Sequence, residues 1–137
     1  MSQPGWADDL GVPFDRVLAL AVLHHLPGCA LRLAVLRQMA ALLQPAGRLI
    51  LSTWQFDRSE RLRRKIVPWE QIGLTADQVE PGDYLLDWRR GGLGLRYCCL
   101  IGENELATLC HAAGLTLIET YFADNALNLY GIARLAA

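Results

Sequence analysis

The stretch Phe14–Trp54 limits the possible folds of this chain more than any other. It reads FDRVLALAVLHH, then LPGCALRLAVLRQMAALLQPAG, then RLILSTW. Val17–Leu23 is an unbroken run of Val, Leu and Ala, the pattern of a strand buried on both faces of a parallel sheet. Arg48–Trp54 has the same character. Between them Leu31, Val35, Met39 and Leu42 recur at steps of four and three, so they share one helical face. Gln44-Pro45-Ala46-Gly47 supplies the stop. Strand, crossover helix and strand make a βαβ unit, whose crossover is right-handed in nearly all proteins. Ligands of open α/β sheets bind beyond the carboxyl ends of the strands. Those ends are Val22–His25 and Ser52–Gln55.

The remainder divides around this unit. A chain of 137 residues suffices for one domain with one core, with 13–54 as the βαβ core, 55–100 as an insertion and 101–137 as a closing segment. Met1–Val12 is a polar lead-in that Pro13 ends. In the insertion, Ser59 opens a short helix to about Ile66 with Pro68 beyond it, and Asp77–Glu80 forms a turn. Asp83–Trp88 and Leu95–Leu100 alternate as short strands around Arg89-Arg90-Gly91-Gly92, a hairpin pattern. Glu103–Ala113 is helical with Gly114 at its carboxyl cap. Leu115–Phe122 and Leu127–Leu135 are strands joined by Ala123-Asp124-Asn125-Ala126, a link so short that they must be antiparallel neighbours.

Thirteen Lys and Arg against fourteen Asp and Glu leave a net charge of −1, which argues against nucleic-acid binding by bulk attraction. The distribution is uneven: five basic residues, Arg58, Arg61, Arg63, Arg64 and Lys65, fall close together as either a solvated helix face or a phosphate-facing patch. Cys29, Cys98, Cys99 and Cys110 show no CxxC spacing and read as small core residues in a reducing cytoplasm. No apolar window reaches the length of a membrane span, and MSQPGWADDL lacks the plan of an export signal. Adjacent histidines on a strand point to opposite faces, poor geometry for one metal ion, so His24-His25 is not expected to hold one. Gly91-Gly92-Leu93-Gly94 follows no βα strand and is not a cofactor loop.

The motifs FDRVLALAVLHHL and LLQPAGRLILSTW together resemble the fourth and fifth strands of class I S-adenosylmethionine-dependent methyltransferases. Asn104–Leu135 is similar to that family's last helix and reversed seventh strand. The resemblance implies an α/β fold: a partial Rossmann-like sheet of the family's strands 4, 5, 6 and 7, with an insertion after strand 5 and an antiparallel carboxyl-terminal hairpin. Within the family, GDYLLDWRR, LRYCCLIGENEL and ETYFADNALNLYGIARL resemble the tRNA wobble-uridine methyltransferases that esterify a carboxymethyl group. Trp88, Arg96-Tyr97, Glu105-Leu106 and Asp124-Asn125 hold the matching places. Asp87 stands where that branch has Pro, Cys98-Cys99 where it has Tyr-His, and no Trp follows Asn125.

What the resemblance implies for the site is specific. S-adenosylmethionine is the cofactor, with Ala21, Val22 and His25 beside its methionine part. The family's Gly-rich loop and ribose-holding acid have no counterpart before Phe14, so the cofactor site in this chain is expected to be incomplete. Trp54 and Gln55 are placed at the crevice rim, and Arg64, Trp88 and Arg89 suit an RNA nucleotide, rings stacking and guanidiniums on phosphates. Arg96 and Tyr97 are the expected catalytic pair, with Arg96 or Arg89 orienting the acceptor carboxylate. In the intact family the fourth strand lies next to the first, so Phe14–Leu23 is expected to present a free apolar edge, to be met by a second copy or a complementary chain. The partner would be tRNA. The alternatives are a small-molecule methyltransferase of the same fold, or a non-catalytic remnant serving as a partner subunit.

Overall fold

The computed structural model describes Gln3 and residues 5–11, 13–92 and 94–137. Met1, Ser2, Pro4, Val12 and Leu93 lie outside the described residues, and with them parts of the lead-in and of the glycine run. Two small sheets share the chain. The first has the order β1 (Phe14–Leu20), β2 (Leu43–Trp54), β7 (Asn128–Leu135), β6 (Leu115–Ala123). β1 and β2 are parallel, with Leu18 opposite Ile50 and Ala19 opposite Leu51. β7 runs antiparallel to both β2 and β6. The expected βαβ unit, with α1 (Cys29–Ala41) as its crossover, and the reversed last strand are both present.

One face of this sheet is packed. Val35, Leu36 and Met39 of α1 and Leu106 and Cys110 of α3 (Glu103–Ala112) lie against Ala19, Leu49, Leu51, Leu129 and Ala133. Gly131 sits where the sheet meets α3: a Cβ there would lie 3.0 Å from Leu106 and 3.1 Å from Leu117. The opposite face carries no helix among the described residues. Across it Leu18, Ile50 and Ile132 lie in register, as do Leu20, Ser52, Tyr130 and Tyr121, and the rings of Tyr121 and Tyr130 stack at 5.2 Å. β1 is therefore not buried on both faces. Ala19 is fully buried while Leu18 is 59% and Leu20 47% exposed, because helices cover one side only. Among the described residues β1 also pairs with β2 alone, which leaves its outer edge free of them.

Three boundaries differ from the sequence expectation. β1 stops at Leu20 instead of reaching the histidines: Ala21 turns to φ 55° and donates its N–H to Ser52 Oγ at 3.0 Å. The chain then enters a 3-10 turn, Leu23–His25. Gln44-Pro45-Ala46-Gly47 falls within the span of β2 as an irregularity between the Phe14–Leu43 and Arg16–Arg48 pairs. Gly47 is packed so tightly there that a Cβ would lie 3.0 Å from the backbone oxygens of both Gln44 and Phe14. The helix opened by Ser59 is a single turn, α2 (Glu60–Arg63). After it the chain becomes extended, because Ile66 and Val67 (β3) pair with Leu86 and Leu85.

The second sheet is the insertion: β3, β4 (Asp83–Trp88) and β5 (Gly94–Cys99), all antiparallel. Phe56, Leu62, Leu86 and Cys98 form its own small core. Buried Arg32 of α1 ties it to the first layer. Its guanidinium donates to the Leu26 carbonyl and the Tyr97 hydroxyl, both at 2.9 Å, and pairs with Glu80 at 2.7 Å. Glu80 in turn accepts the Cys29 N–H at the start of α1, at 2.9 and 3.0 Å. A carboxylate there satisfies an otherwise orphan helix donor and meets the positive end of the dipole.

Candidate functional site

Because β1 and β2 are parallel, their carboxyl ends open at the same end of the sheet, and the Leu23–His25 turn comes to rest beside Trp54. His25 meets the Trp54 ring edge-on at 5.5 Å, and His24 stacks on it at 5.2 Å and 22°. Trp54 continues to Trp88, 6.1 Å away at the end of β4. The Arg96 guanidinium lies 3.9 Å and the Lys65 ammonium 4.9 Å from the Trp88 ring centre. The hairpin register sets this up: Leu86 faces Arg96, so Trp88 and Arg96 are diagonal neighbours on one face. A ladder of rings thus runs from the core sheet into the insertion and ends in two cations.

The turn overturns the geometry expected for the two histidines. They do not point to opposite faces; their ring centres are 4.2 Å apart. His24 accepts the Trp54 N–H on Nδ1 at 3.2 Å, so in the neutral ring the proton is on Nε2. That atom is buried with no partner among the described residues. Burial first, then His25 and Arg96, hold the His24 pKa down at about 3. His25 shares a 3.1 Å contact between Nδ1 and the Tyr97 carbonyl. A carbonyl only accepts, so Nδ1 carries the proton and Nε2 a lone pair. Burial and Arg96 lower its pKa despite that bond. Burial also pushes the Cys98 thiol up to about 11. Near neutral pH the positive charge beside the rings therefore belongs to Arg96 and Lys65.

The predicted residues separate into two groups. His25, Trp54, Trp88 and Arg96 come together, with Ala21 and Val22 half-buried on the same turn. Gln55 is buried instead of at the rim: its amide donates to the Ile101 carbonyl at 2.9 Å and to Thr53 Oγ1 at 3.2 Å, joining the two layers. The Tyr97 hydroxyl is committed between Arg32 and Asp83, donating to the latter at 2.5 Å. Burial first, with that bond, raises its pKa. Arg64 is exposed and paired with Glu60, and Arg89 is exposed and paired with Asp87 at 2.8 Å. Neither of those arginines is among the cations stacked on the ladder.

The sequence reading missed Arg32, Glu80 and Asp83, and named Lys65 only within the basic run. Arg32 carried a signal, since it lies in the 32, 35, 36, 39, 40 series that α1 buries. A cavity of about 500 Å³ between the starts of α1 and α3 takes in Arg32, Glu80 and Cys99 and none of the predicted site residues. Among the described residues no three of His, Cys, Asp and Glu converge as metal ligands, and no helix is long and apolar enough to cross a membrane.

Comparison with known proteins gives the family. The profile of the methyltransferase domain family matches residues 1–120. A protein of Encephalitozoon cuniculi named as a methyltransferase is 29% identical over 106 residues, which is 77% of this chain and 46% of that protein. Probable tRNA methyltransferase 9B of Mus musculus is 29% identical over 72 residues, 47% of this chain and 16% of that protein. The chain thus spans less than half the length of these curated relatives. Among solved structures, an S-adenosylmethionine-dependent methyltransferase from Methanosarcina mazei superposes with a TM-score of 0.68 at 17% identity, over 95% of this chain and 64% of that one. The didemethyltoxoflavin N1-methyltransferase of Burkholderia thailandensis, with S-adenosylhomocysteine bound, gives 0.57 at 22% identity, over 92% and 45%. Fold and profile agree: the chain belongs to the methyltransferase domain family and has the α/β architecture of the class I S-adenosylmethionine-dependent enzymes.

Proposed function

We propose that this chain forms the acceptor side of a methyltransferase that esterifies a carboxyl-bearing modified uridine at the wobble position of tRNA. The observation that supports it is the ladder His24–Trp54–Trp88 capped by Arg96 at the carboxyl end of the parallel strand pair. When bound, S-adenosylmethionine supplies a methyl group on a sulfonium. A carboxylate acceptor needs no proton removed, which suits a site whose imidazoles are neutral. The task left to the protein is to hold the acceptor oxygen in line and close. Trp54 and Trp88 offer faces for a base to stack on, and Arg96 offers a planar fork for its carboxylate. Tyr97 acts as a positioning residue, its carbonyl fixing the His25 ring.

The cofactor would rest on Ala21, Val22 and His25. These form a single wall, half-buried and suited to the apolar methionine chain, and no carboxylate is bonded to them among the described residues. The remaining cofactor contacts must come from outside these residues. Isothermal titration of S-adenosylmethionine into the chain is expected to give no measurable heat of binding, and micromolar affinity would overturn the single-wall reading. An anticodon stem-loop bearing the modified uridine is expected to bind with steep salt dependence; salt-independent binding, or none, counts against tRNA.

One observation favours a small-molecule acceptor. Arg64 and Arg89, which a phosphate track would use, are tied to Glu60 and Asp87. The stem-loop titration separates the two readings.

A further inference from the structure

We propose that Lys65 and Arg96, both held against Trp88, form an oxyanion subsite for a carboxylate or phosphate borne by a flat aromatic ligand. The two cations stand 4.9 and 3.9 Å from the same ring centre. Like charges gathered at one half-buried indole repel, and an acid would ordinarily offset them. Among the described residues none does. The ion pairs there use Arg32, Arg64 and Arg89, and neither Lys65 nor Arg96 takes part in one. Asp87, the acid adjacent to Trp88, is paired with Arg89.

The other groups at this end of the molecule supply no anion either. His24 and His25 are neutral, and Cys98 stays protonated. The Lys65 and Arg96 side chains make no hydrogen bond among the described residues, so their N–H donors remain available to a ligand. Beside them Trp54 and Trp88 lie 6.1 Å apart at 33°, both half-buried, so aromatic surface adjoins the positive charge. A ligand with a π-face and an oxyanion one short arm away matches both features; a neutral ring matches one.

The subsite rests on the surroundings of Trp88, and only the identity of the ligand rests on the tRNA reading above. Three probes separate these: 5-carboxymethyluridine, uridine 5′-monophosphate and uridine, each titrated into the chain and followed by tryptophan fluorescence. The better of the two charged probes is expected to bind about tenfold more tightly than uridine, the scale of one charge-assisted contact. Lys65→Gln should lose most of that ratio while leaving uridine affinity and the near-ultraviolet circular dichroism unchanged. Arg96→Gln should also lose most of that ratio. A preference for the carboxymethyl nucleoside supports both subsite and acceptor. A preference for the monophosphate upholds the subsite and overturns the carboxylate acceptor. Equal binding of charged and neutral probes, no saturable binding by any, or a Lys65→Gln protein that keeps the full ratio overturns the subsite.

Discussion

The backbone N–H of Trp54 donates to Nδ1 of His24 across 3.2 Å. This bond joins the end of β2 to the turn after β1, and burial there keeps the histidine neutral. Its pKa falls from 6.5 to about 3 on folding. Below pH 6.5 the unfolded chain binds a proton that the folded chain refuses, so stability is complete above that value and is lost as pH falls towards 3. The slope is roughly 1.4 kcal/mol per pH unit at most. Urea midpoints measured from pH 7 to pH 4 should fall accordingly, and His24→Asn, which keeps an acceptor for Trp54, should flatten the decline.

Tyr97 bridges α1 and the insertion through its hydroxyl, accepting from Arg32 and donating to Asp83. Tyr97→Phe leaves a buried guanidinium short of one acceptor. The expected cost is about 1–3 kcal/mol in urea unfolding. An unchanged midpoint would mean that water fills the place of the hydroxyl and that the bridge contributes nothing.

Gly131→Ala places a methyl group 3.0 Å from Leu106, 3.1 Å from Leu117 and 3.3 Å from Leu51. These are side-chain ends in a packed core, so they yield only partly. Destabilisation of about 1–3 kcal/mol is expected. Gly47→Ala should cost more, because there the obstacles are backbone oxygens of two segments. A Gly47→Ala protein more stable than Gly131→Ala would contradict the close approach of Phe14 to the Gln44–Gly47 segment.

The free edge of β1 and the bare face bearing Leu18 and Leu20 are expected to make the chain associate with itself as concentration rises. Sedimentation velocity should show this. Leu18→Lys, which charges the middle of that edge strand, should shift the population towards monomer. A wild-type chain that stays monomeric at high concentration would contradict this expectation.

The βαβ unit was legible in Phe14–Trp54 because two apolar runs and an apolar helical stripe stand in the sequence regardless of what they pack on, whereas the burial of the first run on one face only was not legible. The closing hairpin was legible because a four-residue link admits one geometry. Reading His24-His25 as a strand end failed for a physical reason. The turn that joins the two rings begins where Ala21 gives its N–H to Ser52, 31 residues away, and no local pattern encodes that bond. Gln55 followed the strand end as expected, yet its amide is consumed by Ile101, 46 residues on. Lys65 was one of five basic residues in a run with two readings, and only the pairing of β3 with β4 set it against Trp88.

The sequence by itself determined the order of elements, the parallel direction of the first two strands and the aromatic and cationic residues available to a site. Periodicity and link length are local properties, and these conclusions depend on nothing else. The tertiary structure alone decided which of those residues meet. It set His25 against Trp54, stacked Arg96 and Lys65 on one indole, and retired Gln55 and Arg89 into internal bonds. Each of those contacts joins side chains whose directions are fixed only after sheet register, helix cover and the Ala21 turn are all in place.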